Sequence, residues 1–242
     1  MRTLRVVALI VIALGLAAPA GAALTHVNNR VQGGGSASAL TIVSPSASHT
    51  SGNGLVALVT YNQTGETVSL ANTALDMWVQ AGTYFDSGST RYSIWYVQNS
   101  NGHAVDIVTA TISGSSTYRS IVVHEISGQA TSSMLNTTST GSGTSTSLAT
   151  GSLTISASEE IIFAIMVAEP TITGGSGYTL VNFAVTGDAN AYFADEYKII
   201  TASEAATATQ TGSVAWGIMA ASFKAASAAS TTKRMLLLGV GQ

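Results

Sequence analysis

Four histidines, His26, His49, His103 and His124, are the residues best suited to proton transfer or metal binding in this chain. No two stand at i, i+2 or i, i+4, so no local metal motif is present. Ser120 and His124 share one face of an apparent strand, which suggests a nucleophile and its base. Residues four apart on a strand are ~13 Å apart, too far for a hydrogen bond, so that dyad fails. Arg119 and Glu125 lie on the opposite face. Glu125 is read as a structural acceptor for loop amides or a neighbouring arginine. The acidic pairs Glu159-Glu160 and Asp195-Glu196 raise glycoside hydrolysis, which needs two carboxyl groups ~5–9 Å apart across a cleft. Adjacent strand residues point to opposite faces, so neither pair supplies that geometry. Asp188, Asn190 and Asp195 in GDANAYFADE could offer oxygen ligands to calcium. Their spacing does not match an EF-hand, and the segment reads as a turn.

Sugar binding would use an exposed aromatic ring. Trp95 and Trp216 sit within apolar runs and read as core. Trp78 and Tyr84 flank the Gly82-Thr83 turn and, with Tyr178, form the candidate glycan platform. No glycine-rich phosphate cradle opens a helix, so no nucleotide cofactor is expected, and the expected cofactor set is empty. The glycosylation patterns Asn62-Gln63-Thr64 and Asn136-Thr137-Thr138 add little.

The elements that must hold these residues begin after a leader-like segment. Arg2 and Arg5 precede an apolar run from Val6 to Leu16, and Ala20-Gly21-Ala22 follows. A basic start, a short apolar middle and an A-x-A end form a secretory signal peptide, residues 1–22. The run is shorter than the ~20 residues that span a bilayer, so membrane contact is expected only through this segment if it is uncleaved. The destination is extracellular: secreted, on a cell surface, or on a virion. Removing residues 1–22 leaves seven basic and 12 acidic residues, a net charge near −5. No cluster of Lys and Arg suits nucleic acid. There is no cysteine, so the fold must rest on packing rather than disulfides.

Short β-branched and aromatic runs bounded by Gly, Ser and Asn recur along the chain. They cover 40–43, 54–61, 67–70, 77–81, 92–98, 104–112, 118–126, 152–155, 161–168, 178–185, 191–199 and 214–223. Leu55–Tyr61 is apolar on both faces, as a strand covered on both sides must be. Convincing long helices are absent. The pattern predicts an all-β chain, a two-sheet antiparallel β-sandwich of jelly-roll or lectin-like type with flexible terminal arms. Residues 23–39 form an N-terminal arm or separate strand with a Gly/Ser connector. Residues 40–224 form the sandwich. Residues 225–242 form a linker and an apolar tail. Ser132–Gly151 is either a long loop or an edge strand.

Three stretches resemble a sandwich domain of secreted bacterial proteins and phage structural proteins. They are Gly52-Asn53-Gly54-Leu55-Val56 running to Tyr61, Ile94-Trp95-Tyr96-Val97-Gln98-Asn99, and Tyr118-Arg119-Ser120 running to Glu125-Ile126-Ser127-Gly128. The resemblance covers roughly residues 40–224. It implies display, adhesion or assembly and brings no catalytic residues.

The leading expectation is a non-enzymatic extracellular surface or assembly protein. Its contacts run through sheet edges and terminal arms, with Met235, Leu236, Leu237, Leu238 and Val240 as the assembly residues. Its partners are further copies or other surface or virion proteins. The alternative is a carbohydrate-binding module or adhesin using Trp78, Tyr84 and Tyr178. A glycan-active enzyme is the third reading.

Overall fold

The computed structural model describes residues 23–34, 39–62, 65–168, 171–184 and 192–227. The signal segment, Asp188, Asn190 and the tail residues Met235, Leu236, Leu237, Leu238 and Val240 lie outside them. The described residues form strands and no helix. In chain order the strands are β1 (Thr25–Gly34), β2 (Ala39–Val43), β3 (Ala47–His49), β4 (Gly54–Tyr61), β5 (Val68–Asn72) and β6 (Val79–Gln80). Next come β7 (Phe85–Ser87), β8 (Thr90–Val97), β9 (His103–Asp106), β10 (Val108–Ser116), β11 (Arg119–Ser127) and β12 (Leu135–Ala149). The last are β13 (Glu160–Ala168), β14 (Ile172–Gly174), β15 (Thr179–Ala184), β16 (Tyr192–Ile200) and β17 (Thr207–Lys224).

These strands stack as three antiparallel layers. The middle sheet runs β1-β11-β4-β8-β6, with β7 also on β8. The front sheet runs β12-β17-β13-β16-β15, with β14 also on β17. The back sheet is β2-β10-β5, and β3 pairs with β9 as a separate ribbon. The antiparallel sandwich expected from the sequence is the middle and front pair. The back sheet is the added layer, and the composition of β4 explains it. All eight β4 residues are buried. Val56 and Leu58 join Val122, Phe163, Ile165 and Met219 in the core between the middle and front sheets. Ala57, Val59 and Tyr61 face the other way and meet Ile42, Val108 and Ile112 of the back sheet. Each buried aliphatic side chain contributes ~1.5–3 kcal/mol, so leaving one face of β4 wet would forfeit several of these.

The front sheet also buries its outer face. Ile162, Ala164 and Met166 pack with Ile218, Leu148 and Ala208. Leu148 and Ala208 belong to one end of β12 and β17, where the pairing register shifts between Ser145 and Ser147. Ser132–Gly151, open between loop and edge strand, thus contains the 15-residue edge strand β12. Residues 23–39, open between an arm and a separate strand, form a strand in their described part. Instead of a free arm, Thr25–Gly34 is the edge strand of the middle sheet, paired with β11 through an irregularity between His26 and Asn28. Val31 packs against the core between the middle and front sheets, and two polar networks also tie the strand to the rest of the molecule.

Candidate functional site

The first tie is a buried network around Asp106. Arg30 on β1 places Nη2 2.7 Å from Asp106 Oδ2 and donates from Nη1 to the Asp106 carbonyl at 2.7 Å. Asn72 at the end of β5 donates to Asp106 Oδ2 at 3.2 Å, and the Ala74 amide donates to Oδ1 at 3.1 Å. Burial alone would raise the Asp106 carboxyl. The hydrogen bonds from Arg30, Ala74 and Asn72, with the Arg30 charge, outweigh it and hold the group below the usual carboxylate range. The ring of His49 lies between two acids, 3.5 Å from Asp76 Oδ2 and 3.5 Å from Asp106 Oδ2.

The same network shapes the loop that follows β5. Asn72 Nδ2 donates to Asp76 Oδ2 at 2.8 Å, and the Asp76 amide donates back to Asn72 Oδ1 at 2.9 Å. The Asn101 amide donates to Asp76 Oδ1 at 2.7 Å, and its Nδ2 donates to the Ala74 carbonyl at 2.9 Å. Held this way, Leu75 adopts φ +57°, a left-handed conformation that a leucine enters only at a cost of ~1–3 kcal/mol. Leu75 is 83% exposed, and Met77 is 85% exposed. Val79 on β6 follows at 49%. Beside this prow lies an open groove of about 370 Å³, with Met77, Val79 and Tyr96 in its wall and Gln98, Asn99 and Thr131 among its polar residues. That volume falls within the ~300–1,000 Å³ of ordinary ligand sites.

A second polar cluster sits between the middle and front sheets. His124 on β11 is fully buried, with Nε2 2.8 Å from Asp195 Oδ2 on β16. The two groups are at ion-pair distance without hydrogen-bond alignment, and the Asp195 carboxylate has no hydrogen-bond partner among the described residues. On its other side, His124 Nδ1 is 3.0 Å from His26 Nε2. The His26 ring stacks on Tyr197 at 3.9 Å. Burial, then the neighbouring His124, lowers the His26 imidazole to about 4. Burial raises the Asp195 carboxyl against the opposing pull of His124. The arrangement can share protons, but Ser120 Oγ is bonded to Thr60 Oγ1 at 2.7 Å and takes no part. Among the described residues, no group of three His, Asp or Glu side chains is placed to hold a metal ion.

The sequence-predicted residues fall in different places. Asp195 faces His124 in the interior, so it is not a surface calcium ligand. Trp78 and Tyr84, expected as an exposed pair, are half-buried against the back-sheet core. The Tyr84 hydroxyl is anchored on Val68, accepting from its amide at 2.9 Å and donating to its carbonyl at 3.2 Å. The turn at Gly82 is exposed, but the flanking rings fold inward because the back sheet offers them apolar surface. Tyr178 packs on the outer cluster of the front sheet, and its hydroxyl donates to the Ala205 carbonyl at 3.2 Å. Tyr178 is therefore not part of a surface with Trp78 and Tyr84. Glu125 has the role read for it: it accepts from the Thr50 amide at 2.8 Å, from Asn53 at 2.6 Å and from Asn28 at 2.7 Å. Glu159 and Glu160 diverge as strand geometry requires, one accepting from the Leu24 amide and the other from the Ser156 amide. Glu196, opposite Asp195, is raised by burial to about 7 and accepts from the Gly175 amide at 3.0 Å.

Sequence reasoning passed over Leu75, Met77 and Tyr96. The signal for Leu75 and Met77 is their alternation with Asp76 just after Asn72, in a chain whose other turns are rich in Ser, Asn and Gly. No protein family, curated protein or solved structure matches the chain.

Proposed function

We propose that this is a non-enzymatic extracellular surface or assembly protein. It is a secreted, jelly-roll-like sandwich that joins further copies or other surface or virion proteins. The prow at Leu75, Met77 and Val79 is its contact surface. One observation carries the reading: two large apolar side chains are held in water by a rigid polar network, one of them on a strained backbone. Neither the exposure nor the strain benefits the isolated fold. The exposure is recovered when a partner covers the prow, as the apolar centre of an interface is covered. The resemblance to secreted and phage sandwich domains points the same way. The carbohydrate reading was motivated by exposed rings at Trp78 and Tyr84, and these rings are packed.

The test is the native mass of the chain purified from its producing culture, beside a Leu75→Asp/Met77→Asp variant. Wild type should sediment as a defined oligomer or co-purify in a larger assembly. The variant should lose that association with its melting temperature unchanged. A monomeric wild type, or an assembly indifferent to both charges, would overturn the reading.

A further inference from the structure

We infer that His49 is the charge switch of the prow: its imidazolium clamps Asp76 to the body of the protein, and its neutral form releases the prow loop. The inference rests on the assembly reading for its consequence, since the clamp then makes association depend on pH.

The surroundings of the ring supply the first argument. His49 ends β3, with its side chain 2% exposed. Nε2 lies 3.5 Å from Asp76 Oδ2, and Nδ1 lies 3.5 Å from Asp106 Oδ2. Both contacts exceed the usual hydrogen-bond length, and neither ring nitrogen has a hydrogen-bond partner among the described residues. The ring is held by charge, with a carboxylate against each nitrogen. An imidazolium turns an N–H toward both acids. A neutral imidazole must turn a lone pair toward one of them.

Charge balance decides which acid loses its partner. Arg30 serves Asp106 from Nη2 at 2.7 Å and donates from Nη1 to the Ala47 carbonyl on β3 at 3.2 Å, fixing the body side of the site. Asp76 has only neutral hydrogen-bond donors, Asn72 Nδ2 and the Asn101 amide, and its side chain is 1% exposed. The other titratable groups on the strands around His49 are engaged elsewhere. Glu125 of β11 accepts from the amide of Thr50, and His103, opposite His49 on β9, accepts from the Val105 amide through Nδ1. With His49 charged, Arg30 and His49 balance Asp106 and Asp76. With His49 neutral, the Asp76 carboxylate is buried without a counter-charge, a costly state that is relieved by turning it out to water.

Asp76 carries the geometry of the prow. Its amide donates to Asn72 Oδ1 at 2.9 Å, and the Leu75 amide donates to the Asn72 carbonyl at 3.1 Å, in the turn where Leu75 takes φ +57°. When the carboxylate leaves, Asn72 Nδ2 and the Asn101 amide lose their acceptor. Leu75 is then free to return to the ordinary conformations of a leucine, and the display of Leu75 beside Met77 ends. Histidine is the side chain suited to change charge between about pH 5 and pH 8, and the prow stands on the acidic side of the change.

Hydrogen exchange read by mass spectrometry tests the clamp in full-length Met77→Ser, which weakens the apolar contact without adding a charge. Peptides carrying the Asp76 and Asn101 amides, corrected for intrinsic rate, should exchange several-fold faster at about pH 8 than at about pH 5.5, while β13 stays equally protected. Met77→Ser/His49→Gln should exchange at the faster rate at both pH values. Equal protection of the loop at both pH values, or a pH dependence that survives His49→Gln, would overturn the inference. Should His49→Gln fail to fold, the ring signals of His49 in Met77→Ser, followed by NMR, decide instead. They should titrate over the same interval, and a ring of one charge state throughout it would overturn the inference. Native mass of the wild type at the two pH values reads the consequence, with a smaller species expected at the higher one. A prow-dependent oligomer of equal mass at both overturns the inference and leaves the assembly reading in place. An oligomer indifferent to Leu75→Asp/Met77→Asp overturns the assembly reading, while the exchange result still supports or overturns the clamp.

Discussion

His26 Nε2 and His124 Nδ1 lie 3.0 Å apart, and the far side of His124 faces the buried carboxylate of Asp195. This contact fastens the edge strand β1 across the sandwich to β16. Two imidazoles at that distance can share one proton but resist holding two charges. Unfolding frees His26 to titrate near 6.5, whereas in the folded chain it is lowered to about 4. Between those values the unfolded chain binds the extra proton, so this group makes stability fall as pH drops from about 6.5 toward 4. His26→Gln should flatten the dependence of the melting temperature on pH in that window, as followed by circular dichroism. An unchanged slope would remove His26 as its source. Asp195 acts in the opposite sense: its raised folded pKa favours the protonated carboxyl, and that contribution is lost as pH rises above the ordinary carboxylate range.

Arg30 and Asp106 form the other fastening of β1, with side chains 6% and 0% exposed. Removing one partner of a buried pair leaves the other charge without compensation, which costs about 3–5 kcal/mol. Asp106→Ala should lower the urea midpoint accordingly and raise hydrogen exchange along β1 before the rest of the middle sheet.

Leu75 occupies a conformation that glycine and asparagine enter readily. Leu75→Gly should therefore raise the free energy of unfolding, or leave it unchanged, while weakening assembly. The gain is bounded at about 1 kcal/mol, because glycine also gains freedom in the unfolded chain. Stability and native mass measured on the same preparation separate the two effects.

Trp78→Ala should destabilise the chain by about 2–3 kcal/mol in chemical denaturation. Truncating a core aromatic costs about 3–5 kcal/mol, and this ring is only half-buried. A variant as stable as wild type would mean that the ring does not pack as described.

Gly102 turns at φ +76°, and a Cβ there would lie 2.5 Å from the Ser51 backbone nitrogen. Gly102→Ala should destabilise through both strain and collision, detected as a lower melting temperature. The same loop carries Asn101, so prow display and assembly should weaken with it.

Local signals made much of the fold legible. The double apolar face of Leu55–Tyr61 set the bounds of β4 and its burial on both sides. β11, β13 and β16 fell within a residue of their expected runs. The run at 104–112 breaks at Ile107, which separates β9 from β10 and leaves Ile107 38% exposed. The extension of β17 back to Thr207 was hidden, because Ala206, Ala208 and the threonines around them look like a linker until the outer cluster buries them. The site was legible only in pieces. Alternation on one strand excluded a Ser120–His124 dyad, but nothing local pairs His26 with His124 across 98 positions or Arg30 with Asp106 across 76. Both pairings follow from strand order, which is set by the total packing of three layers.

β17 lies between β12 and β13 in the front sheet, although it is the last strand among the described residues. A ribosome delivers β12 and β13 well before the strand that joins them exists. Until then Ile161, Phe163 and Ile165 have one open backbone edge and no Met219 or Phe223 beside them. The front half can close only after β17 has been made, so its pairing with β13 is non-local and slow to form.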